Sequence, residues 1–553
     1  MDSSSRYRFF RFSLYAHVLC YVITLCLIPL GHAASASSEV TPAKRVAVIG
    51  AGAAGSTTAY SLRKYADALQ IPVNITVFER SSYVGGRSTT VNVLDNPANP
   101  VELGASIFVD INQHLVNASK ELGLHVTSAN YLRPRETEDT IGVWDGEQFA
   151  FVMKDSSSWW NIAKLIWKYG LAPIRTYRLM KFTVNKFLDL YDEPIFPFES
   201  LTLATEAAGL LNTTAVSGAF FLQKNSISSE FSREVIQAST RVNYGQNLPL
   251  IHGLETMVCM ATDGAMSVEG GNWLIFDGML NLSHADVRLN HTVTSIDWAP
   301  NGPSTLTFQT NTNNPSPEQL DFDEVVIAGP WQFADITITP PPKKTPDEIP
   351  FVKLHVTLFS SPHRISPKYF GLTDPDAHTP ETILTTLPPG TDLGKSEAGV
   401  GPAGFWSIST LRTVPAPDPA EGKHYVYKIF SPERPTAKFM KSILGLETSA
   451  SDSTTSIGDL PKRDVSWFHE KIWRPYPFVY PRVTFEDPLL APHIWYTGGI
   501  ESFISTMETS ALMGRNVAAL MSREWQAQKE NENEEKAREG SSSSADDEMR
   551  VEL

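Results

Sequence analysis

The spacing of apolar positions places the main elements of the chain. Arg45 to Ile49 is a short apolar run, Arg-Val-Ala-Val-Ile, suited to a buried parallel strand. It leads directly into Gly50-Ala51-Gly52-Ala53-Ala54-Gly55, and a helix-forming stretch, Ser56 to Leu69, follows. A second strand, Asn74 to Phe78, ends at Glu79. Glu324 to Ala328 repeats the buried-strand pattern and is expected to return to the same sheet. Phe351 to Phe359 is strand-like, and Ser505 to Met521 has the character of a closing helix. Prolines at Pro340 to Pro342 and between Pro415 and Pro419 mark loops.

Strand, G-x-G-x-x-G, helix, strand and acid in that order form a dinucleotide-binding fingerprint. Gly50 permits the tight turn and Gly52 lets a pyrophosphate approach the backbone beside Ala53. Gly55 lets helix and strand pack closely, and the helix N-terminus offers free N–H groups to phosphate. Glu79 is the acid expected to hold the ribose hydroxyls, although it lies further from the glycines than the usual ~20 residues. An insertion in the loop from Tyr65 to Val73 is therefore expected.

The ends of the chain read differently. Arg6, Arg8 and Arg11 precede an apolar stretch, Phe12 to Leu30, and small residues follow at Ala33 to Ala36. This resembles a secretory signal peptide over residues 1–34, with an uncleaved anchor as the alternative. Cleavage removes Cys20 and Cys26 and leaves Cys259 as a small buried hydrophobe. Five sequons, at Asn74, Asn117, Asn212, Asn281 and Asn290, agree with a secretory route and are candidate glycosylation sites. Residues 526–553 carry nine acids against four bases and the run Ser541 to Ser544, and are expected to be a disordered acidic tail.

Composition removes several function classes. The 553-residue chain has a formal charge of −15, which makes nucleic acid a poor partner. Three cysteines allow no disulfide framework, and no histidine or cysteine spacing suggests a metal site. No nucleophile elbow is present. One segment runs against the acidic balance. Trp159 to Leu190 carries Lys164, Lys168, Arg175, Arg178, Lys181 and Lys186 against one acid, Asp189, interleaved with aromatics. It is either a basic amphipathic pair of helices that contacts a membrane surface or a pair that packs its aromatics on the core.

Further motifs carry a family resemblance. Glu79-Arg80 is followed by Gly85-Gly86-Arg87, then Glu102-Leu103-Gly104-Ala105, and the chain closes with Trp495-Tyr496-Thr497-Gly498-Gly499-Ile500. This resembles the FAD-binding framework of amine-oxidase and glutathione-reductase-like flavoproteins. The resemblance implies Arg87 beside the pyrophosphate, Gly104 and Ala105 near the flavin, Gly499 and Ile500 at the flavin-facing turn, and Val293, within Asn290 to Thr294, against the adenine. Arg241-Val242-Asn243-Tyr244-Gly245-Gln246-Asn247, Val268 to Asn272 and Tyr425 to Phe430 resemble the prenylcysteine oxidase (prenylcysteine lyase) family. The resemblance spans Arg45 to Trp525.

The resemblance implies an α/β chain: a Rossmann-like FAD-binding domain (residues 45–130, 269–340 and 466–525) interleaved with an α+β substrate domain (131–268 and 341–465). It implies an FAD-dependent thioether oxidase in a lysosome or vacuole, or outside the cell. Such an enzyme cleaves farnesyl- or geranylgeranyl-cysteine with O2 and water to cysteine, a prenyl aldehyde and hydrogen peroxide. No cysteine lies beside Gly498 to Ile500, so non-covalent FAD is expected. Oxidation at the carbon beside sulfur needs positioning and a dry pocket more than a strong base. The candidate groups are His355 and Glu501 for catalysis, and Arg241, Tyr244 and Gln246 for the amino-acid head, with Arg241 on its carboxylate. Two alternatives stay open: a flavin amine oxidase of the same fold, and a non-catalytic prenyl-binding protein related to Rab-escort proteins.

Overall fold

The computed structural model describes residues 42–551 apart from 135–139, 155–158, 313–314, 375, 392–393, 395, 397–398 and 454. The expected signal segment and Cys20 and Cys26 lie outside the described residues. A six-stranded sheet forms the first layer, in the order Leu489–Ala491, Ile494–Tyr496, Glu324–Ile327, Lys44–Ile49, Val73–Glu79 and Asp286–Leu289. All its neighbours are parallel except the first pair. The central strand is covered on both faces, which explains its unbroken apolar run, with Val46, Ala47 and Val48 fully buried.

The helix after the glycines spans Ala53–Leu69 and packs against the closing helix. The contact is close because Gly514 has no side chain; a Cβ there would stand 2.3 Å from the Ala54 carbonyl oxygen. The helix runs on to Leu69 and only Gln70 to Pro72 separate it from the next strand. The long interval between Gly50 and Glu79 is therefore extra helix and not the loop insertion expected from the spacing.

A seven-stranded sheet forms the second large layer, in the order Trp467–Trp473, Leu354–Ser361, Lys423–Ser431, Ser407–Pro415, Thr382–Thr385, Thr140–Trp144 and Phe149–Lys154. Residues 467–473, expected in the dinucleotide-binding domain, pair along Leu354–Ser361 and belong to this sheet instead. A four-stranded sheet that includes His291–Asp297 lies beside the six-stranded one.

The basic segment forms two helices, Trp159–Tyr169 and Ala172–Leu188. Their aromatics divide: Tyr169 and Phe187 are buried, whereas Trp167, Tyr177 and Phe182 are exposed. The final helix spans Met507–Val551, so the acidic tail is helical where disorder was expected. Its Ala, Glu, Lys and Gln residues are good helix formers, and Gln526–Glu530 and Glu534–Arg538 pair one turn apart.

Candidate active site

The glycine turn is built as its chemistry requires. Gly50 has φ +113°, and a Cβ there would lie 2.9 Å from the Ala328 carbonyl oxygen. A Cβ on Gly55 would lie 1.9 Å from the Gly50 carbonyl oxygen, so helix and turn meet only because that side chain is missing. Glu79 ends its strand with a buried carboxylate, whose two oxygens accept from the main-chain N–H groups of Ala51 (2.9 Å) and Ser81 (2.7 Å). Lone pairs remain for a ribose diol. Arg87 reaches the closing motif. Its guanidinium holds both carboxylate oxygens of Glu501, at 2.6 and 2.7 Å, and donates to the Pro475 carbonyl.

These groups border one cavity of about 1870 Å³. That is well above the roughly 300–1,000 Å³ of a single small-molecule site. Of the twelve expected cofactor residues, Gly50, Gly52, Ala53, Glu79, Gly86, Arg87, Gly104, Ala105 and Val293 line it. Gly55 lies behind the turn. Gly499 and Ile500 also lie behind the wall: Gly499 is pressed against Glu486, and Ile500 is in the core. Thr497, Gly498 and Glu501 present the closing motif instead. Free N–H groups of the first helical turn, the carboxylate of Glu79 and the open side of Gly52 fit a dinucleotide cofactor.

The cavity continues across the seven-stranded sheet. Strand alternation gives one face to it: Thr382 and Leu384, Ser407 and Ser409, Lys428 and Phe430. Opposite them stand Ser239, Val242, Asn243, Tyr244, Val258 and Cys259. Cys259 is a free, buried thiol, and burial pushes its pKa well up. This arm mixes apolar walls, Leu384, Phe430, Val242 and Val258, with hydroxyl groups and the ammonium of Lys428.

The structure separates the expected catalytic and substrate residues. Arg241 is fully buried, away from the cavity. It donates to the Thr385 hydroxyl, the Asn247 side chain and the carbonyls of Gly399 and Val400, and stacks 4.7 Å from the Trp406 ring centre. Gln246 is equally buried, bridging the Pro477 carbonyl and the Val479 N–H. Both tie the sheet and helices together, so neither meets a substrate head. Tyr244 does reach the wall, but its hydroxyl donates to the Ser505 carbonyl at 3.1 Å. His355 points away from the cavity, towards Glu470 at 3.3 Å, because its neighbour Leu354 takes the cavity face. Glu501 lines the cavity with both carboxylate oxygens paired to Arg87.

Sequence reasoning quoted Glu102 and Lys428 only as motif positions and missed Arg412. Lys428 is a lone cation in the apolar run Val426 to Phe430, a signal that was readable. Its ammonium donates to the Ser106 hydroxyl at 2.9 Å and the Glu102 carbonyl at 3.2 Å. Burial lowers its pKa to about 8, partly offset by Glu102. Burial raises the Glu102 carboxyl to about 7, against a hydrogen bond from the Asn272 N–H. Elsewhere, Glu324, His493 and Glu524 come within ligand distance of one another, but the Glu324 oxygens already accept from Trp495 and Trp525 and face His493.

Comparison with known proteins matches this arrangement. The family described as "Prenylcysteine lyase" matches residues 152–535, and "NAD(P)-binding Rossmann-like domain" matches residues 48–122. The chain is 28% identical over 528 residues to farnesylcysteine lyase of Arabidopsis thaliana, covering 92% of this chain and 94% of that one. It is 28% identical over 509 residues to prenylcysteine oxidase 1 of Homo sapiens, covering 88% and 90%. Among solved structures, cyclohexylamine oxidase from Brevibacterium oxydans aligns with a TM-score of 0.52 and 16% identity, over 88% of this chain and all of that one. Putrescine oxidase bound to putrescine aligns with a TM-score of 0.52 and 16% identity, over 87% and 99%. These last two likenesses show the fold.

Proposed function

We propose that this chain, which belongs to the prenylcysteine lyase family, is an FAD-dependent thioether oxidase. It takes S-prenyl-L-cysteine, O2 and water to cysteine, a prenyl aldehyde and hydrogen peroxide. One observation carries the reading: a single cavity of about 1870 Å³, more than one small ligand fills, joins the Gly50–Gly55 cradle to an arm walled in part by Leu384, Phe430, Val242 and Val258. Relatives named farnesylcysteine lyase and prenylcysteine oxidase support the substrate class.

FAD, when bound, supplies the two-electron acceptor for the carbon next to sulfur and a route for those electrons to O2. The chain does the rest. Glu79 would hold the ribose, and the first turn of the Ala53–Leu69 helix would hold the pyrophosphate. Arg87, whose carbonyl accepts from the Ala105 N–H, is tied to the closing turn through Glu501. Phe430, Leu384, Val242 and Val258 keep the reacting carbon out of bulk water. No covalent tether is expected, since residues 497–502 contain no cysteine.

Two finer parts belong to the same reading. The apolar segment from Phe12 to Leu30 supports entry to the secretory pathway, with a lysosome or vacuole as destination. All five sequon asparagines among the described residues are exposed, which supports glycosylation. The paired basic helices support peripheral contact with an anionic bilayer, since Trp167 is 90% exposed and Phe182 61% exposed among lysines and arginines.

The test is product stoichiometry. Aerobic incubation of FAD-loaded protein with S-farnesyl-L-cysteine yields cysteine, farnesal and peroxide in equal amounts. Release of ammonia from an amine, with the thioether untouched, contradicts the reading in favour of an amine oxidase.

A further inference from the structure

The seven-stranded sheet carries an irregularity where it floors the cavity. Between Ser407–Pro415 and Lys423–Ser431 the register pairs Ser409 with Lys428 and Thr410 with Tyr427, then shifts so that Arg412 faces Val426. Leu411 is the extra residue of a bulge. Residues directly opposite share a face, as do residues two apart on one strand. Ser409, Lys428, Val426 and Arg412 therefore share the cavity face. In an unbroken strand Arg412, three residues from Ser409, would point to the other side. The bulge re-aims it, and both Arg412 and Lys428 line the cavity. They are diagonal neighbours, with roughly 7–8 Å between residues.

Both cations lack a counter-ion. Arg412 donates one bond, to the Asn99 side-chain oxygen at 3.0 Å, and its Nε is buried with no partner. Lys428 is bonded only to the Ser106 hydroxyl and the Glu102 carbonyl, which leaves one of its three donors. Among the described residues no carboxylate lies within ion-pair distance of either. The charged or titratable groups that face them are Glu102, beneath Lys428, and Tyr131, beside Arg412. Sheltered cations without a partner are costly, and a ligand anion removes that cost. The phosphates of a dinucleotide are already served by the Gly50–Gly55 turn.

We infer that Arg412 and Lys428 form a clamp for the free α-carboxylate of the substrate, the role expected of Arg241 from the sequence. The inference rests on the proposed function for the identity of that ligand. The clamp makes the enzyme selective for S-prenylcysteines with an unblocked carboxyl group.

The experiment is calorimetric binding, without oxygen, of S-farnesyl-L-cysteine and of its methyl ester to the FAD-loaded protein whose flavin has first been chemically reduced, so that no oxidation follows binding. The wild type binds the acid at least about tenfold tighter than the ester, the scale of one charge-assisted hydrogen bond. Arg412→Gln loses about tenfold for the acid and less than threefold for the ester, and Arg412→Lys recovers part of the loss. Lys428→Met has the same selective effect. Equal wild-type affinity for acid and ester overturns the clamp, and so does an equal loss of both ligands in the variants, which marks a packing role. Turnover is read separately. Acid-selective binding without oxidation contradicts the proposed function and leaves the clamp standing; oxidation with equal affinities does the reverse.

Discussion

Arg87 and Glu501 form a two-point ion pair, at 2.6 and 2.7 Å, that joins the start of the dinucleotide-binding region to its closing motif. The Glu501 side chain is 7% exposed, and Arg87 is 35% exposed at the cavity. The pair ties the two segments together although 414 positions separate the partners.

Removing one partner leaves the other charge sheltered and alone. Glu501→Ala is expected to lower stability by about 2–3 kcal/mol, below the range for a fully buried pair because Arg87 meets solvent. It also lowers FAD retained on purification. Thermal unfolding and absorbance of the same samples check both. Unchanged melting with full flavin content would contradict the pairing.

Two glycines in one motif are expected to fail differently. A Cβ on Gly52 meets nothing closer than the Gly86 Cα at 3.9 Å, whereas one on Gly55 collides with the Gly50 oxygen. Gly52→Ala should stay within about 0.5 kcal/mol of wild type yet lose FAD, because the methyl group fills the approach to the pyrophosphate. Gly55→Ala should cost about 3 kcal/mol or more and reduce soluble yield. Denaturant unfolding with and without FAD separates them, and equal FAD affinity in Gly52→Ala would sink the placement of the cofactor.

The contrast between these glycines and the substrate residues shows what was legible. Gly50, Gly52, Gly55 and Glu79 act through local backbone geometry, so spacing alone places them. Arg241 and Gln246 lie in a polar block that reads like a binding motif, but their hydrogen bonds go to Gly399, Val400, Pro477 and Val479, far along the chain. No local pattern reports such partners. Arg412 faces the cavity only through a bulge that periodicity does not show. His355 falls on the wrong face because strand order, not alternation, decides which face meets the cavity. The acidic tail misled because its composition suits a solvated helix as well as a coil.

Glu255 gives a pH signature. It is fully buried beside Tyr244, and burial raises its carboxyl from 4.5 to about 8. The folded pKa lies above the unfolded one, so this carboxyl favours folding most below pH 4.5. That advantage is lost as pH rises towards about 8. Glu255→Gln should remove this slope, matching wild type near pH 4.5 and exceeding it by about 2–4 kcal/mol at pH 8.5. Urea midpoints at the two pH values check it. Parallel pH dependence in both proteins would contradict the buried-carboxyl account.

The exposed aromatics of the basic helices predict a surface effect. Trp167→Ala with Phe182→Ser should weaken binding to phosphatidylserine-containing vesicles by about tenfold and leave unfolding within about 0.5 kcal/mol of wild type. Vesicle co-sedimentation decides; equal binding by both proteins would leave the helices a solvated face.

The central claim is oxidation at the carbon next to sulfur, and an anaerobic titration tests it most directly. The FAD-loaded protein should show absorbance at about 450 nm that bleaches on addition of S-farnesyl-L-cysteine, with one aldehyde formed per flavin. Absorbance that survives the thioether, or that bleaches only with an amine, contradicts the account.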